Sequence, residues 1–214
     1  MKAEFTHIDT WVFDLDHTLY PPHMRLFDQI EERMIQYVMA ALDTDRKTAD
    51  ELRRRYWQQY GTTLAGLMQL HNIDPEPFMI EVHDIDFTIL RPDPVLRDRI
   101  SQLHGRKIIY TNGSAPYAEN VILARGLSGI FDAIYGIEHA AYTPKPHQEA
   151  FDRVFALDQL NGTTAAMFED DHRNLEVPHR IGMKTIHVAP EPDQRPYIHH
   201  HTDDLSGFLA QLVN

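Results

Sequence analysis

The segment TWVFDLDHTLYPP, residues 10–22, is the most informative part of this 214-residue chain for predicting its fold. It begins with a short apolar run typical of a buried strand, Thr10–Phe13, and passes directly into Asp14 and Asp16. In a parallel α/β sheet, ligands bind beyond the carboxyl ends of the strands. The spacing of two residues in extended chain would place both carboxylates on one face, where a cation or a shared proton must relieve their repulsion. A solvated turn is the alternative interpretation of this motif alone.

Short apolar runs alternate with longer helical stretches along the chain. This pattern predicts an α/β fold with a Rossmann-like, doubly wound parallel sheet. Polar or turn residues bound each apolar run, as in buried parallel strands. The predicted strands are Thr10–Phe13, Lys107–Tyr110, Ala133–Tyr135, Ala165–Phe168 and Lys184–Val188. The predicted helices of the same unit are Val95–His104, Tyr117–Arg125, Gln148–Phe155, Asn174–Ile181 and Leu205–Leu212.

A long segment between the first two strands has helical periodicity and no strand pattern. Its apolar residues recur at steps of three and four, as in an amphipathic helix; they are Phe27, Ile30, Met34, Val38 and Leu42. Further helices are predicted at Ala49–Tyr60 and Leu64–Leu70. A crossover this long exceeds a usual connection between a strand and a helix. We therefore predict a helical cap, residues 20–92, inserted into a core formed by residues 1–19 and 93–214. One mixed domain with extra helices is the alternative.

The composition argues against several classes of protein. The net charge of −12 disfavours nucleic acid as the main partner, because an acidic surface repels a phosphate backbone. The absence of cysteine excludes disulfides and thiolate nucleophiles, and it fits a cytoplasmic location. No apolar run approaches the length of a membrane span, and the first residues lack the pattern of a signal peptide. We therefore expect no membrane partner.

Three further polar motifs follow predicted strands or precede predicted helices. Residues 111–114, TNGS, form either an anion site or an Asn-Gly turn with a capping serine. Lys145 lies between two prolines that would aim its ammonium at a phosphate, with an exposed loop lysine as the alternative. Residues 169–171, EDD, offer oxygen ligands suited to Mg²⁺ or form a charged helix cap. All of these motifs can converge with Asp14 and Asp16 on one edge of the sheet.

In their order along the chain, the four motifs resemble those of the haloacid dehalogenase-like superfamily. The resemblance covers residues 1–19 and 93–214. The helical insertion after the first motif looks like the cap of the subgroup that includes β-phosphoglucomutase-like and nucleotidase-like enzymes. The resemblance implies a magnesium-dependent phosphatase whose partner is a small phosphorylated metabolite. We expect a monomer or a homodimer.

The resemblance also implies a role for each motif residue. Asp14 would attack phosphorus and form an aspartyl-phosphate. Asp16 would protonate the leaving alcohol and then deprotonate the attacking water. Thr111 and Lys145 would bind the transferring phosphoryl group. Further support would come from a steadying contact of Thr18 in the first loop and from the backbone N–H groups of Asn112 and Gly113.

The magnesium ligands implied by the resemblance come from the first and last motifs. They are the Asp14 carboxylate, the Asp16 backbone carbonyl and the Asp171 carboxylate. Asp170 would be an outer-shell or alternate ligand, because the register of the acidic triplet is left open.

A finer resemblance lies in DLDHTLYPP, residues 14–22, which looks like the DLDNTLYP signature of the pyrimidine 5′-nucleotidase-like branch. His17 stands where that branch usually has asparagine. The resemblance implies a nucleoside 5′-monophosphate substrate, with UMP and CMP as the first candidates. Tyr20, His23 and Asp28 enter the cap and are candidates for contacts with the leaving group.

Several other functions compete with this interpretation. Dehalogenation needs no Mg²⁺, so the second aspartate, Asp16, and the acidic pair Asp170 and Asp171 argue against it. Phosphonate cleavage through a Schiff base needs a cap lysine, and the only one is Lys47 in a charged run. A phosphatase or phosphomutase acting on a small sugar phosphate or on phosphoglycolate stays open, and so does a non-catalytic phosphate-binding protein. The run His199-His200-His201 is predicted to be a solvated loop, and Trp57–Tyr60 to be helix core.

Overall fold

The central element of the fold is a parallel sheet of six strands, seen in a computed structural model that describes residues 1–213. The strands are β1 (Thr10–Phe13), β2 (Arg106–Tyr110), β3 (Ala133–Tyr135), β4 (Ala165–Glu169), β5 (Lys184–Val188) and β6 (His200–Thr202). They lie in the order 3-2-1-4-5-6, and every neighbouring pair is parallel. This order is that of a Rossmann-like sheet, as the sequence predicted.

Strand β1 lies at the centre of the sheet and is buried on both faces. Its last residue, Phe13, is in register with Ile109 of β2 on one side and with Phe168 of β4 on the other. The chain reverses its winding direction between β1 and β4, which is the point where ligands bind in open α/β sheets. The loops that leave β1, β2 and β4 therefore share one edge of the sheet.

The described residues form the helices α1 (Leu26–Leu42), α2 (Arg46–Tyr60), α3 (Thr63–His71), α4 (Pro75–Val82), α5 (Pro94–Gln102), α6 (Ala115–Ala124), α7 (Gln148–Asp158), α8 (Glu176–Arg180) and α9 (Leu205–Val213). Of these, α5, α6 and α9 pack on one face of the sheet, and α7 and α8 pack on the other. Alternate residues of β1 enter different apolar clusters, Phe13 with the α5, α6 and α9 side and Val12 with the α7 side. This alternation is the period of two expected of a strand.

The long crossover between β1 and β2 contains α1 to α5, of which α1 to α4 lie within residues 20–92, and, in the part of the chain described, no strand. Ile30 and Val38 of α1 are buried as its periodicity predicted, and Phe27, Met34 and Leu42 are partly buried against the same apolar cluster. Helix α4 was not predicted, although it begins with a strong signal. Asp74 caps it by accepting a hydrogen bond from the Glu76 N–H, and Pro75 occupies its first position.

Two other expectations were wrong in detail. His200 and His201, two residues of the run predicted as a solvated loop, form the edge strand β6 together with Thr202, and this strand pairs in parallel with β5. Three polar residues carry no strand pattern, so only the pairing partner reveals this strand. The helix predicted at Asn174–Ile181 is divided into a 3₁₀ turn at His172–Leu175 and the short α8.

Two further points concern the carboxyl-terminal residue and the length of the helices. Residue 214, the last of the predicted core segment, lies outside the described residues. No helix within residues 1–213 combines the length and apolar character needed to cross a membrane.

Candidate active site

Asp14 lies immediately after β1 and is 5% exposed. Its Oδ1 accepts a hydrogen bond from the Lys145 ammonium at 2.7 Å. Its Oδ2 is buried and has no hydrogen-bond partner among the described residues. Burial raises the pKa of Asp14 to about 7, although the Lys145 charge opposes this shift. Asp14 therefore presents one braced oxygen and one oxygen that an electrophile or a cation can satisfy.

Lys145 is buried, which overturns the alternative of an exposed loop lysine. Its Nζ donates to Asp14 Oδ1, to Glu169 Oε2 at 2.6 Å and to the Tyr110 carbonyl at 3.0 Å. Burial alone would lower the pKa of Lys145, but the two carboxylates raise it above its usual range. Lys145 is therefore a fixed positive charge beneath the carboxyl end of β1.

Asn112 fixes the backbone of Lys145 through a pair of hydrogen bonds. Its Oδ1 accepts from the Lys145 N–H at 2.8 Å, and its Nδ2 donates to the Lys145 carbonyl at 3.1 Å. The sequence assigned only the backbone N–H of Asn112 a role. The side chain ties the loop after β2 to the lysine loop, 33 residues further along the chain.

Three acidic side chains converge at the sheet edge. Asp14, Glu169 and Asp170 each offer a carboxylate oxygen, and these oxygens lie within 4.8 Å of one another. Burial raises the pKa of Glu169 well above its usual value, and the neighbouring Asp14 charge adds to the shift. Lys145 is the positive charge that contacts two of the three acids directly. The group therefore has three carboxyl groups and one ammonium in direct contact with two of them.

Asp171, the carboxylate predicted to bind metal, is not one of these three acids, although it lines the same cavity. Its oxygens accept from Arg173, with the guanidinium Nε 3.0 Å from each of them. It also caps the 3₁₀ turn at His172–Leu175 through the Arg173 backbone N–H. Asp170, predicted as the alternate ligand, occupies the place beside Asp14. The role of Asp171 as a ligand stays a prediction that this geometry disfavours.

The contrast between neighbouring aspartates gives a direct test. We expect Asp170→Asn to raise the Mg²⁺ concentration needed for half-maximal activity about tenfold or more, because it removes a charged oxygen ligand. Asp171→Asn should change that concentration by less than about threefold, since its charge is already paired with Arg173. A magnesium titration of both variants measures this. A larger effect for Asp171→Asn would restore the original assignment.

His17 contacts Asp170 from the first loop. Its Nδ1 lies 3.4 Å from Asp170 Oδ2, and its backbone is left-handed, with φ of 62°. Asparagine and histidine are among the side chains that tolerate this conformation best. Burial lowers the pKa of His17, but the contact with Asp170 outweighs it and the net shift is upward. His17 therefore keeps the loop shape and places beside the acids an imidazole whose protonated form they favour.

Asp16 lies two residues beyond Asp14 with both of its hydrogen bonds on one oxygen. Tyr20 and Tyr117 each donate a hydroxyl proton to Asp16 Oδ1 at 2.5 Å. Burial raises the pKa of Asp16, and the two tyrosine hydrogen bonds oppose that shift. Tyr117 was predicted only to begin a helix and was given no functional role, although its place in the first turn of α6 is next to the second motif.

The structure separates the remaining predicted residues into two groups. Thr111, Asn112 and Gly113 line the cavity above the sheet edge. The cavity lining does not include Thr18, Tyr20 or His23. The Thr18 hydroxyl is buried without a partner among the described residues, and His23 is exposed. Tyr20 contacts Asp16, so a direct contact of Tyr20 or His23 with a leaving group is disfavoured, as it is for Asp28, which is exposed and pairs with Arg25.

The cavity has a volume of about 530 Å³ and lies between the sheet edge and the helices of residues 20–92. One wall carries the polar residues described above. The opposite wall is mixed. Its apolar residues are Phe27, Ile30, Met34, Leu64, Phe78, Met79 and Val82, and its charged residues are Glu31, Arg53 and Arg54. A ligand in this space would meet the acids and Lys145 at the sheet edge, and both apolar and charged groups on the other wall.

Trp57 also lines the cavity and is 46% exposed, so its assignment to the helix core was wrong. The Arg173 guanidinium lies 4.3 Å from the centroid of its ring. This cation–π contact joins α2 to the loop after β4. The sequence shows Trp57, but its contact with Arg173 could not be predicted, because the two residues are more than a hundred positions apart in the chain.

Comparison with known proteins identifies the family. A family model described as haloacid dehalogenase-like hydrolase matches residues 8–182. The chain belongs to the haloacid dehalogenase-like hydrolases. The matched range contains all four motifs, which are the same motifs that the structure brings together at one edge of the sheet.

Individual relatives of this haloacid dehalogenase-like hydrolase are distant. Phosphate metabolism protein 8 of Saccharomyces cerevisiae is 24% identical over 191 residues, which cover 82% of this chain and 59% of the yeast protein. YfnB of Bacillus subtilis, a hydrolase of the family bound to magnesium, is 15% identical with a TM-score of 0.61, covering 96% of this chain and 98% of its own. The L-2-haloacid dehalogenase PA0810 is also 15% identical, with a TM-score of 0.59 and coverage of 96% and 99%. At these identities, the structural likenesses establish the fold alone.

Proposed function

We propose that this protein is a magnesium-dependent phosphatase that forms a phospho-aspartate on Asp14 and acts on nucleoside 5′-monophosphates. The observation that carries the proposal is the pairing of Asp14, braced by Lys145, with a second aspartate two residues away. A halide leaves as a stable anion and needs no proton, whereas an alcohol leaves well only when it is protonated. Asp16 therefore favours a phosphate ester over a haloacid as substrate.

The acidic group fits a hard divalent cation. Asp14, Glu169 and Asp170 supply oxygen ligands, and the unpartnered Asp14 Oδ2 is a buried acceptor that a cation would satisfy. Mg²⁺ held there, with the Asp16 backbone carbonyl as a further ligand, would offset the charge of an incoming phosphate. The magnesium-bound relative YfnB supports this choice of metal.

The chain's own residues would carry out two displacements. A carboxylate oxygen of Asp14 attacks phosphorus, the bond from phosphorus to the leaving oxygen breaks, and Asp16 gives that oxygen its proton. Water then attacks the phosphorus of phospho-Asp14, Asp16 takes a proton from the water, and Asp14 is released with inorganic phosphate. Lys145 and Thr111 hold the transferring group, so that catalysis rests on position and charge.

Selectivity would come from residues 20–92, which we propose to act as a cap over the core of residues 1–19 and 93–214. The apolar residues of the cap wall and Trp57 suit a flat base or a similar group, while the sheet edge suits the phosphate. Arg53 and Glu31 on this wall form an ion pair at 2.9 Å, and their remaining hydrogen-bonding positions would serve a base edge. A site that hydrogen-bonds its substrate rejects analogues far more strongly than an apolar pocket does.

A substrate panel tests the proposal. We expect kcat/KM for UMP or CMP to exceed that for AMP, GMP, phosphoglycolate and β-glucose 1-phosphate by roughly tenfold or more, with activity lost in EDTA. If a sugar phosphate or phosphoglycolate gives the highest value, the nucleotidase proposal fails and the phosphatase proposal stands. If 2-chloropropionate releases chloride while no phosphate ester is cleaved, both fail.

A further inference from the structure

The Asp16 carboxylate is bound asymmetrically. Within residues 1–213, both hydrogen bonds to its side chain fall on Oδ1, from the hydroxyl groups of Tyr20 and Tyr117 at 2.5 Å each. A carboxylate oxygen has two lone pairs in the carboxylate plane, so two donors occupy the accepting positions of Oδ1. A proton carried by Asp16 then belongs on Oδ2.

The two tyrosines reach Asp16 from different parts of the fold. Tyr20 follows the first motif, and Tyr117 lies in the first turn of α6, 97 residues further along the chain. Both are fully buried, and their hydroxyl oxygens lie 3.3 Å apart. Since each hydroxyl has only one proton and gives it to Asp16, neither group can turn to another acceptor without losing that bond.

His83 holds Tyr117 from the other side. Its ring stacks on the Tyr117 ring with centroids 4.2 Å apart and planes 8° from parallel. Its Nδ1 lies 3.1 Å from the hydroxyl of Ser114, which caps α6. Burial lowers the pKa of His83 to about 4, so the stacked ring is neutral near pH 7. Since His83 is the residue that caps the carboxyl end of α4, the helices of residues 20–92 contribute to the placement of Tyr117.

We propose that Tyr20 and Tyr117 are positioning residues that direct the Asp16 proton onto Oδ2 and stabilise the carboxylate left after its transfer. This inference rests on the proposed phosphatase function. When the leaving oxygen takes the proton from Oδ2, negative charge develops on Asp16, and two hydroxyl donors already point at it. Donors fixed before the reaction stabilise such charge without reorganisation.

The expected signature is a dependence on the leaving group. An alkyl phosphate such as a nucleoside monophosphate needs the Asp16 proton, whereas 4-nitrophenyl phosphate releases a stable phenolate. The value of kcat/KM reports the first irreversible step, in which the leaving group departs. Loss of a tyrosine hydroxyl should therefore lower kcat/KM for the alkyl ester more than for the aryl ester.

The experiment compares Tyr20→Phe, Tyr117→Phe and the double variant with Tyr56→Phe. Tyr56 is an equally buried tyrosine that does not line the cavity. Its hydroxyl lies 2.6 Å from His71 Nε2, so the Tyr56→Phe variant also loses one buried hydrogen bond. We expect each single site variant to lower the ratio of alkyl to aryl kcat/KM by about tenfold, the effect of one hydrogen bond to a charged group. The double variant should lower it further, and Tyr56→Phe should leave it unchanged.

The outcomes distinguish the role of the two tyrosines from the proposed phosphatase function. Equal losses for both esters in Tyr20→Phe and Tyr117→Phe, or an equal change of the ratio in Tyr56→Phe, would overturn the inference while the phosphatase function stands. Wild-type protein without activity on either ester would overturn the proposed function first. Thermal unfolding of each variant identifies a folding defect. A smaller folded fraction lowers kcat/KM for both esters by the same factor, so the ratio of the two values still tests the inference.

Discussion

Asp14→Asn is expected to abolish turnover, with kcat reduced by about 10⁴-fold or more, while the fold is kept. An amide is a poor nucleophile, and without the phospho-aspartate the reaction loses its covalent route. A discontinuous phosphate assay on protein free of wild-type contamination measures the loss. The exposed Asp98→Asn variant is the matched control and should keep full activity. Retention of even a tenth of the wild-type rate would remove Asp14 from the nucleophile's role.

The same variant should be more stable than wild type in EDTA above neutral pH. Burial raises the folded-state pKa of Asp14 from 3.8 to about 7. A carboxyl group with a raised folded pKa contributes stability that is present below its unfolded pKa and is lost as pH rises through the folded value. Asparagine removes this dependence, so the melting temperatures of the two proteins should diverge between about pH 4 and pH 7. Parallel melting curves across that range would contradict the argument.

Lys145→Met is expected to give the second-largest loss, about 10³-fold in kcat/KM. The substitution removes the charge that braces Asp14 and would contact the transferring phosphate, a type of loss that costs several powers of ten in phosphoryl transfer. It also leaves two buried carboxylates, Asp14 and Glu169, without their shared partner. Breaking a buried pair in this way costs about 3 kcal/mol of folding stability.

The stability loss in Lys145→Met should itself depend on pH. Without the ammonium, the folded pKa values of Asp14 and Glu169 rise further, so the defect is small at low pH, where both are protonated, and grows as pH rises. Denaturant unfolding at several pH values measures this. Lys47→Met, at a lysine that is 86% exposed, provides the control. A defect of constant size would mean that the lysine acts through packing rather than charge.

Much of the sheet could be predicted because its signals are local. Five strands are short apolar runs, and three of them have the predicted bounds, including Thr10–Phe13. The edge strand His200–Thr202 could not be found in this way, because its pairing with β5 supplies what its own residues lack. Helix α4 was missed although Asp74 and Pro75 mark its start, because its eight residues are too short to show a clear period.

The site was predictable to the level of motifs but not of individual contacts. Asp14 and Lys145 meet because the ends of parallel strands share one edge, which the sequence order implies. The register of the acidic triplet was not predictable, since consecutive acids are equivalent until Arg173 pairs with Asp171. The stack of His83 on Tyr117 joins residues 34 positions apart through tertiary packing, which no local pattern encodes.

One continuous apolar cluster spans the sheet and the helices between β1 and β2. It contains Phe13 and Phe168 of the sheet together with Leu26, Leu64 and Phe78 of the inserted segment. The helices between β1 and β2 therefore share their hydrophobic core with one face of the sheet, while the α7 face of the sheet has a second cluster of its own. The two parts should therefore unfold in one cooperative transition in calorimetry. If this segment is replaced by that of a relative, the chimera should fold only when the sheet residues of the shared apolar cluster are replaced together with it.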